Sequence, residues 1–212
     1  FAEDSTTASV YWLIRGYLRR NTNGDTLPAS FMLSRFQDMR DGASIGLNLT
    51  YETGGYDDMF SRGNRIMYVN ERWSGSVSYN TPRRGAWSRS FGLKVFQEGY
   101  DNWAAGLNGS STWYPDDKLN IALSLDATWS RDWLKWLQGN QVGGFSRRQV
   151  SGRLTGNWFP AEKHELRLLS QWITVNAVAI KGYLIGADGR LDTDSFHVND
   201  FAAMNFGMQL RY

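Results

Sequence analysis

Hydrophobic and polar residues alternate with a period of two along much of this chain. Between Leu119 and Ser130, Leu119, Ile121, Leu123, Leu125, Ala127 and Trp129 fall on one side, with Asn120, Ala122, Ser124, Asp126, Thr128 and Ser130 on the other. A helix, turning about 100° per residue, would mix the two sets, whereas an extended strand separates them. Ala43 to Thr53 reads the same way, setting Ile45, Leu47, Leu49 and Tyr51 against Ser44, Gly46, Asn48 and Thr50. So does Trp87 to Gln97, where Phe91, Leu93 and Val95 oppose Ser90, Gly92 and Lys94. Seven further strands are predicted over Ala8 to Arg20, Pro28 to Met39, Arg65 to Tyr79, Trp103 to Tyr114, Phe145 to Trp158, His164 to Val175 and Phe201 to Tyr212. Most of the ten reach the roughly 9 to 11 residues that a tilted strand needs to cross a bilayer.

Compact turns stand at Asp41-Gly42, Thr81 to Gly85, Pro115 to Lys118 and Pro160 to Lys163, built from residues that fix or relax the backbone. Between them fall the more polar links Asn21 to Thr26, Gly54 to Asn64, Glu98 to Asn102, Arg131 to Gly144 and Asn176 to Asp200. Short and longer links thus take turns, as in an up-and-down barrel with tight turns at one rim and loops at the other. The predicted fold is all-β: an antiparallel, up-and-down transmembrane β-barrel of about ten strands, or part of a larger barrel, forming one domain over residues 1–212.

Alternation alone also fits a soluble sandwich or calyx. The second faces of these strands favour the barrel, because they carry Gly, Ser, Thr, Asn and occasional charges such as Lys94, Asp126 and Arg153, which suit a hydrated lumen. Aromatic residues make up 15% of the chain, with 10 Trp. Trp87, Trp103, Trp113, Trp129 and Trp158 lie at or near strand ends, where an aromatic girdle anchors a barrel at headgroup level. Mean hydropathy is -0.47, and no apolar run approaches the roughly 20 residues of a membrane helix. The longest, Ile173 to Ile180, is broken by Asn176. Phe1 to Thr7 lacks the basic flank and apolar stretch of a signal peptide.

The chemistry on offer is sparse. There is no cysteine, and 23 basic against 21 acidic residues leave a scattered net charge of +2, which gives nucleic-acid binding no support. His164 opens a strand and His197 lies in the longest loop, each without a partner that would make it a base. The loop Asp188-Gly189-Arg190-Leu191-Asp192-Thr193-Asp194 groups carboxylates but lacks the mid-loop Gly and distal Glu of a calcium hand. No catalytic, cofactor-binding or metal site is therefore assigned. Asp132, Asp188, Asp192, Asp194 and His197 fall on the long-loop side, where a rim-active hydrolase would keep its acids and bases.

The terminal segment Asn205-Phe206-Gly207-Met208-Gln209-Leu210-Arg211-Tyr212 resembles the C-terminal β-signal read by the barrel insertion machinery. From about Asn64 onward the chain also resembles the C-terminal barrel region of an uncharacterised family of bacterial outer-membrane proteins. Those proteins carry a carbohydrate-binding-family-9-like domain ahead of the barrel. The matching stretches are Arg131-Asp132-Trp133-Leu134, His164 to Trp172 and Met208 to Tyr212. The resemblance implies that the chain is a piece of a longer protein, since the sugar-binding-like domain and a last tight turn and strand are missing; Tyr212 would then not be the natural end. The expected function is a non-enzymatic outer-membrane role as pore, transporter or surface scaffold. Its expected partners are the lipid bilayer, the insertion machinery and further outer-membrane or periplasmic proteins. Two alternatives stand beside it: a soluble β-sheet protein binding glycans through exposed aromatics, and an outer-membrane hydrolase acting at the extracellular rim.

Overall fold

The computed structural model describes residues 6–22, 24–100, 102–192 and 196–212. They form strands β1 (Thr7–Arg20), β2 (Thr26–Met39), β3 (Ser44–Glu52), β4 (Gly55–Asp57), β5 (Met67–Val69), β6 (Arg72–Asn80), β7 (Trp87–Glu98), β8 (Asn102–Trp113), β9 (Leu119–Gln138), β10 (Gln141–Ala161), β11 (His164–Ile185), β12 (Leu191–Asp192) and β13 (Phe201–Arg211). The fold is all-β. One antiparallel sheet runs β1-β2-β3-β6-β7-β8-β9-β10-β11-β13, every strand beside its predecessor, with β12 added to the far end of β11; β4 and β5 make a separate hairpin. Among the described residues β1 pairs only with β2 and β13 only with β11, so each keeps one edge free of ladder bonds.

The three strongest alternating segments become β9, β3 and β7, and the register carries their alternation across the sheet. Leu47, Val77, Leu93, Leu107, Ala127 and Val150 are successive cross-strand partners on one face. One residue along each strand, Asn48, Ser76, Lys94, Gly106, Thr128 and Gln149 are successive partners on the other. Turn chemistry sets the hairpins. Gly42 takes φ +83° and donates to the Met39 carbonyl, and the Asp116 carboxylate accepts from the backbone amides of Lys118 and Leu119.

Three predicted segments differ from the structure. The link expected over Arg131 to Gly144 is strand on both sides of a tight Gly139-Asn140 turn, so β9 and β10 run well past the alternating region. The link expected over Asn176 to Asp200 gives its first part to β11 and two residues to β12. The strand expected over Arg65 to Tyr79 divides into β5 and β6, and β5 pairs with β4, which lies inside the predicted loop Gly54 to Asn64. The first has a clear physical reason. The extended ends of β9 and β10 are covered on both sides, so alternation no longer marks them as strand, whereas the extended end of β11 keeps one side open at Val178 and Ile180. One side buries Leu134, Val142 and Ile185 with Met67, Val69 and Leu191; the other buries Phe145 and Ala177 with Val198.

All bulk therefore sits at one end of the sheet. The β2–β3, β6–β7, β8–β9 and β10–β11 connections at the opposite end are short turns.

Candidate functional site

The two faces of the sheet meet different surroundings. On the apolar face Leu47, Val77, Leu93, Leu107 and Val150 are 38–50% exposed, although they lie mid-strand in one cross-strand row. On the polar face Ser34 is 1% and Thr128 4% exposed. Large side chains standing free while small ones are occluded is the geometry of a sheet curled with its polar face inward. A cleft of about 700 Å³ agrees, since its wall takes Ser90, Asn108, Ser124, Ser151, Gln171 and Asn205 from six successive strands, β7 to β11 and β13.

This polar face is the candidate site. One row joins Ser90, Ser110, Ser124, Arg153, Gln171 and Gly207 as cross-strand partners; a second joins Asn108, Asp126, Ser151, Ile173 and Asn205. Hydroxyls and amides bond across the ladder: Ser34 donates to Asn48 at 2.6 Å, the Ser90 and Ser110 hydroxyls hydrogen-bond to each other at 2.7 Å, and Asn157 donates to Asn120 at 2.9 Å. Lys94 and Asp126, two of the charges predicted to face the lumen, form an ion pair at 3.4 Å, and the Thr128 hydroxyl donates to the same carboxylate. Arg153, the third, lines the cleft, and its side chain makes no hydrogen bond or ion pair to any described residue. A Cβ on Gly106 would meet Lys94 Cε at 2.2 Å, so the glycine makes room for the lysine stem. A neighbouring cleft of about 560 Å³ is lined by Thr50, Glu52, Arg72, Ser76, Lys94 and Glu98.

Toward the bulky end the charges become more enclosed. Arg147 pairs with Glu98 at 2.9 Å, their side chains 12% and 20% exposed, and its guanidinium lies 4.7 Å from the centre of the Trp133 ring. Asp132, buried in the irregular stretch where β9 and β10 shift register, accepts from the Tyr100 amide at 2.9 Å and from Asn102 at 3.3 Å. Gly99 is required beside it: φ is +70°, and a Cβ would meet the Asp132 carbonyl oxygen at 1.9 Å. Tyr183 lies beyond this level. Burial raises its phenol pKa above the ordinary value, and the nearby Asp132 and Tyr100 push it the same way.

The five singled-out tryptophans all stand on the apolar face. Trp87 partners Trp113 with rings 6.0 Å apart, Trp158 lies at the same short-turn end, and Trp103 and Trp129 stand at the other. Several polar side chains share that face. Arg89 reaches over the Trp87 ring, Arg148 sits opposite Trp129, and on β2 Arg35 donates to Gln37 while lying over Trp12. The central row is thus apolar from Leu47 on β3 to Val150 on β10, while Arg35 takes its place on β2 and Thr174 on β11.

The remaining acids and histidines do not converge. His164 bonds to the Tyr212 hydroxyl. His197 lines a rim cleft of about 410 Å³ with Lys135, Phe196 and Phe201, and no hydrogen bond among the described residues joins it to a carboxylate. Asp188 caps the Arg190 amide and pairs with its guanidinium at 4.0 Å, while Asp194 lies outside the described residues. Among the described residues no three metal-binding side chains come together. Sequence reasoning missed the Glu98–Arg147 pair because 49 positions separate its members. The one available signal was parity, since Arg147 shares a strand face with Gln149 and Arg153.

No family model, curated protein or solved structure matches the chain.

Proposed function

We propose that this chain is an outer-membrane β-barrel, or a large part of one, with a pore, transport or surface-scaffold role and no catalytic centre. The observation that carries the reading is the cross-strand row of exposed Leu47, Val77, Leu93, Leu107 and Val150. A soluble monomer rarely leaves a contiguous apolar belt of this extent in water, whereas lipid is its natural solvent.

The dimensions support it. Trp103 and Trp113 stand on the same face of β8, ten residues apart. At about 3.3 Å per residue that is roughly 33 Å along the strand. Tilted by about 35–45°, it projects to a height of about 25 Å, the apolar band of such barrels. The Trp103 and Trp129 level then forms one girdle and the Trp87, Trp113 and Trp158 level the other. In hydrocarbon no strand edge can stay unpaired, so the free edges of β1 and β13 must bond to each other or to further strands. The short turns would face the periplasm, and the β4–β5 hairpin with the extended β9–β11 ends would face outward. The resemblance to the barrel region of a family with a carbohydrate-binding-family-9-like domain belongs to the same proposal, as does engagement of the insertion machinery.

Expression in a Gram-negative host tests it. The protein should fractionate with outer membranes, require detergent for extraction, and migrate faster on gels before boiling than after. A protein that is monomeric and soluble without detergent overturns the assignment.

A further inference from the structure

The charges on the polar face are not equally satisfied. Asp126 is engaged by Lys94, Glu98 by Arg147, and Glu165 by Arg167. Arg153 stands apart, lining the 700 Å³ cleft between its cross-strand partners Ser124 and Gln171 with no side-chain partner among the described residues. Four residues further along β10 the same face continues through Asn157, Arg167 and Arg211, and Arg211 has no carboxylate partner among the described residues. With Lys94 and Asp126 cancelling, the cleft retains the positive charge of Arg153, and the approach from the turn end adds that of Arg211.

A guanidinium presents paired donors that match a carboxylate or phosphate, and a surround of hydroxyls and amides recognises hydroxyl groups rather than apolar surface. We propose that the cleft is a binding site for a polyhydroxylated anion, with Arg153 receiving the oxyanion. Ser90, Ser124, Ser151, Gln171 and Asn205 would bond the hydroxylated body. The inference rests on the polar face being a solvent-filled lumen, and it names the solute class that such a lumen selects: an acidic sugar or a sugar phosphate.

Equilibrium dialysis of the full chain in detergent, with radiolabelled glucuronate, glucose 1-phosphate and glucose, tests this without requiring conduction. At least one anion should bind tenfold or more tightly than glucose, and comparing the two decides between carboxylate and phosphate. Arg153→Gln should remove the preference, Arg153→Lys should keep part of it, and Arg148→Gln, on the apolar face, should leave it intact. Because Arg153 is exposed, the Gln variant should retain the heat-modifiable gel shift, which separates lost binding from lost folding. Equal affinity for glucose and both anions, no binding of either anion, or an unchanged preference in a folded Arg153→Gln protein overturns the inference. Release from membranes without detergent overturns the barrel reading instead.

Discussion

Arg147 Nη2 donates to both carboxylate oxygens of Glu98, at 2.9 and 3.0 Å, joining β10 to β7 over the two strands between them. Three ladder spacings would set those strands about 14 Å apart in a flat sheet. The contact closes because the sheet curls and because the intervening partners, Ala104 and Ser130, are small and buried. Glu98→Ala strands a largely enclosed guanidinium and should destabilise the protein by about 2–3 kcal/mol. Removing both partners should cost clearly less than the sum of the single losses. Denaturant midpoints of the four proteins in detergent check this; additive losses would show that the two groups act independently.

Val150 and Gln149 are adjacent in sequence and face opposite ways. Under the proposed function an arginine at Val150 would sit in the middle of the belt that meets lipid and should cost about 2–4 kcal/mol, whereas Gln149→Arg should stay within about 0.5 kcal/mol. Folding yields into vesicles and unfolding midpoints measure the difference. Equal tolerance of both changes would mean that water bathes both faces.

Gly152 lies under the indole of its cross-strand partner Trp172, where an added Cβ would fall 2.0 Å from the ring. The ring is rigid, so Gly152→Ala must displace it, with a penalty of about 1–3 kcal/mol. Trp172→Leu in the same protein should recover most of the loss. A neutral Gly152→Ala would show that the indole is not held over the glycine.

Tyr183 carries a pH dependence of defined sign. Its phenol pKa is raised by burial first and by Asp132 and Tyr100 next, so the folded rim holds the neutral form. A folded value above the unfolded one means that the contribution is whole below the ordinary tyrosine value of 10.0 and is lost as pH rises through the raised folded value. Hydrogen exchange of residues 131–145 should accelerate above about pH 10. In Tyr183→Phe that acceleration should be weaker, and an identical pH profile would remove Tyr183 as its origin.

Period-two alternation by itself determined which side chains of β3, β7 and β9 share a face, and the turn residues determined where the hairpins close. That was enough to place Lys94, Asp126 and Arg153 on one side and the five tryptophans on the other, because strand geometry leaves a side chain only two directions. Tertiary structure decided the rest. Past Ser130 both sides of the sheet are covered, so Trp133, Leu134, Trp136 and Leu137 lose the alternating code and read as loop. Pairing is equally invisible in one dimension: Lys94 meets Asp126 and Glu98 meets Arg147, yet the Arg153 side chain meets no partner among the described residues, since register and curvature set the distances between side chains far apart along the chain.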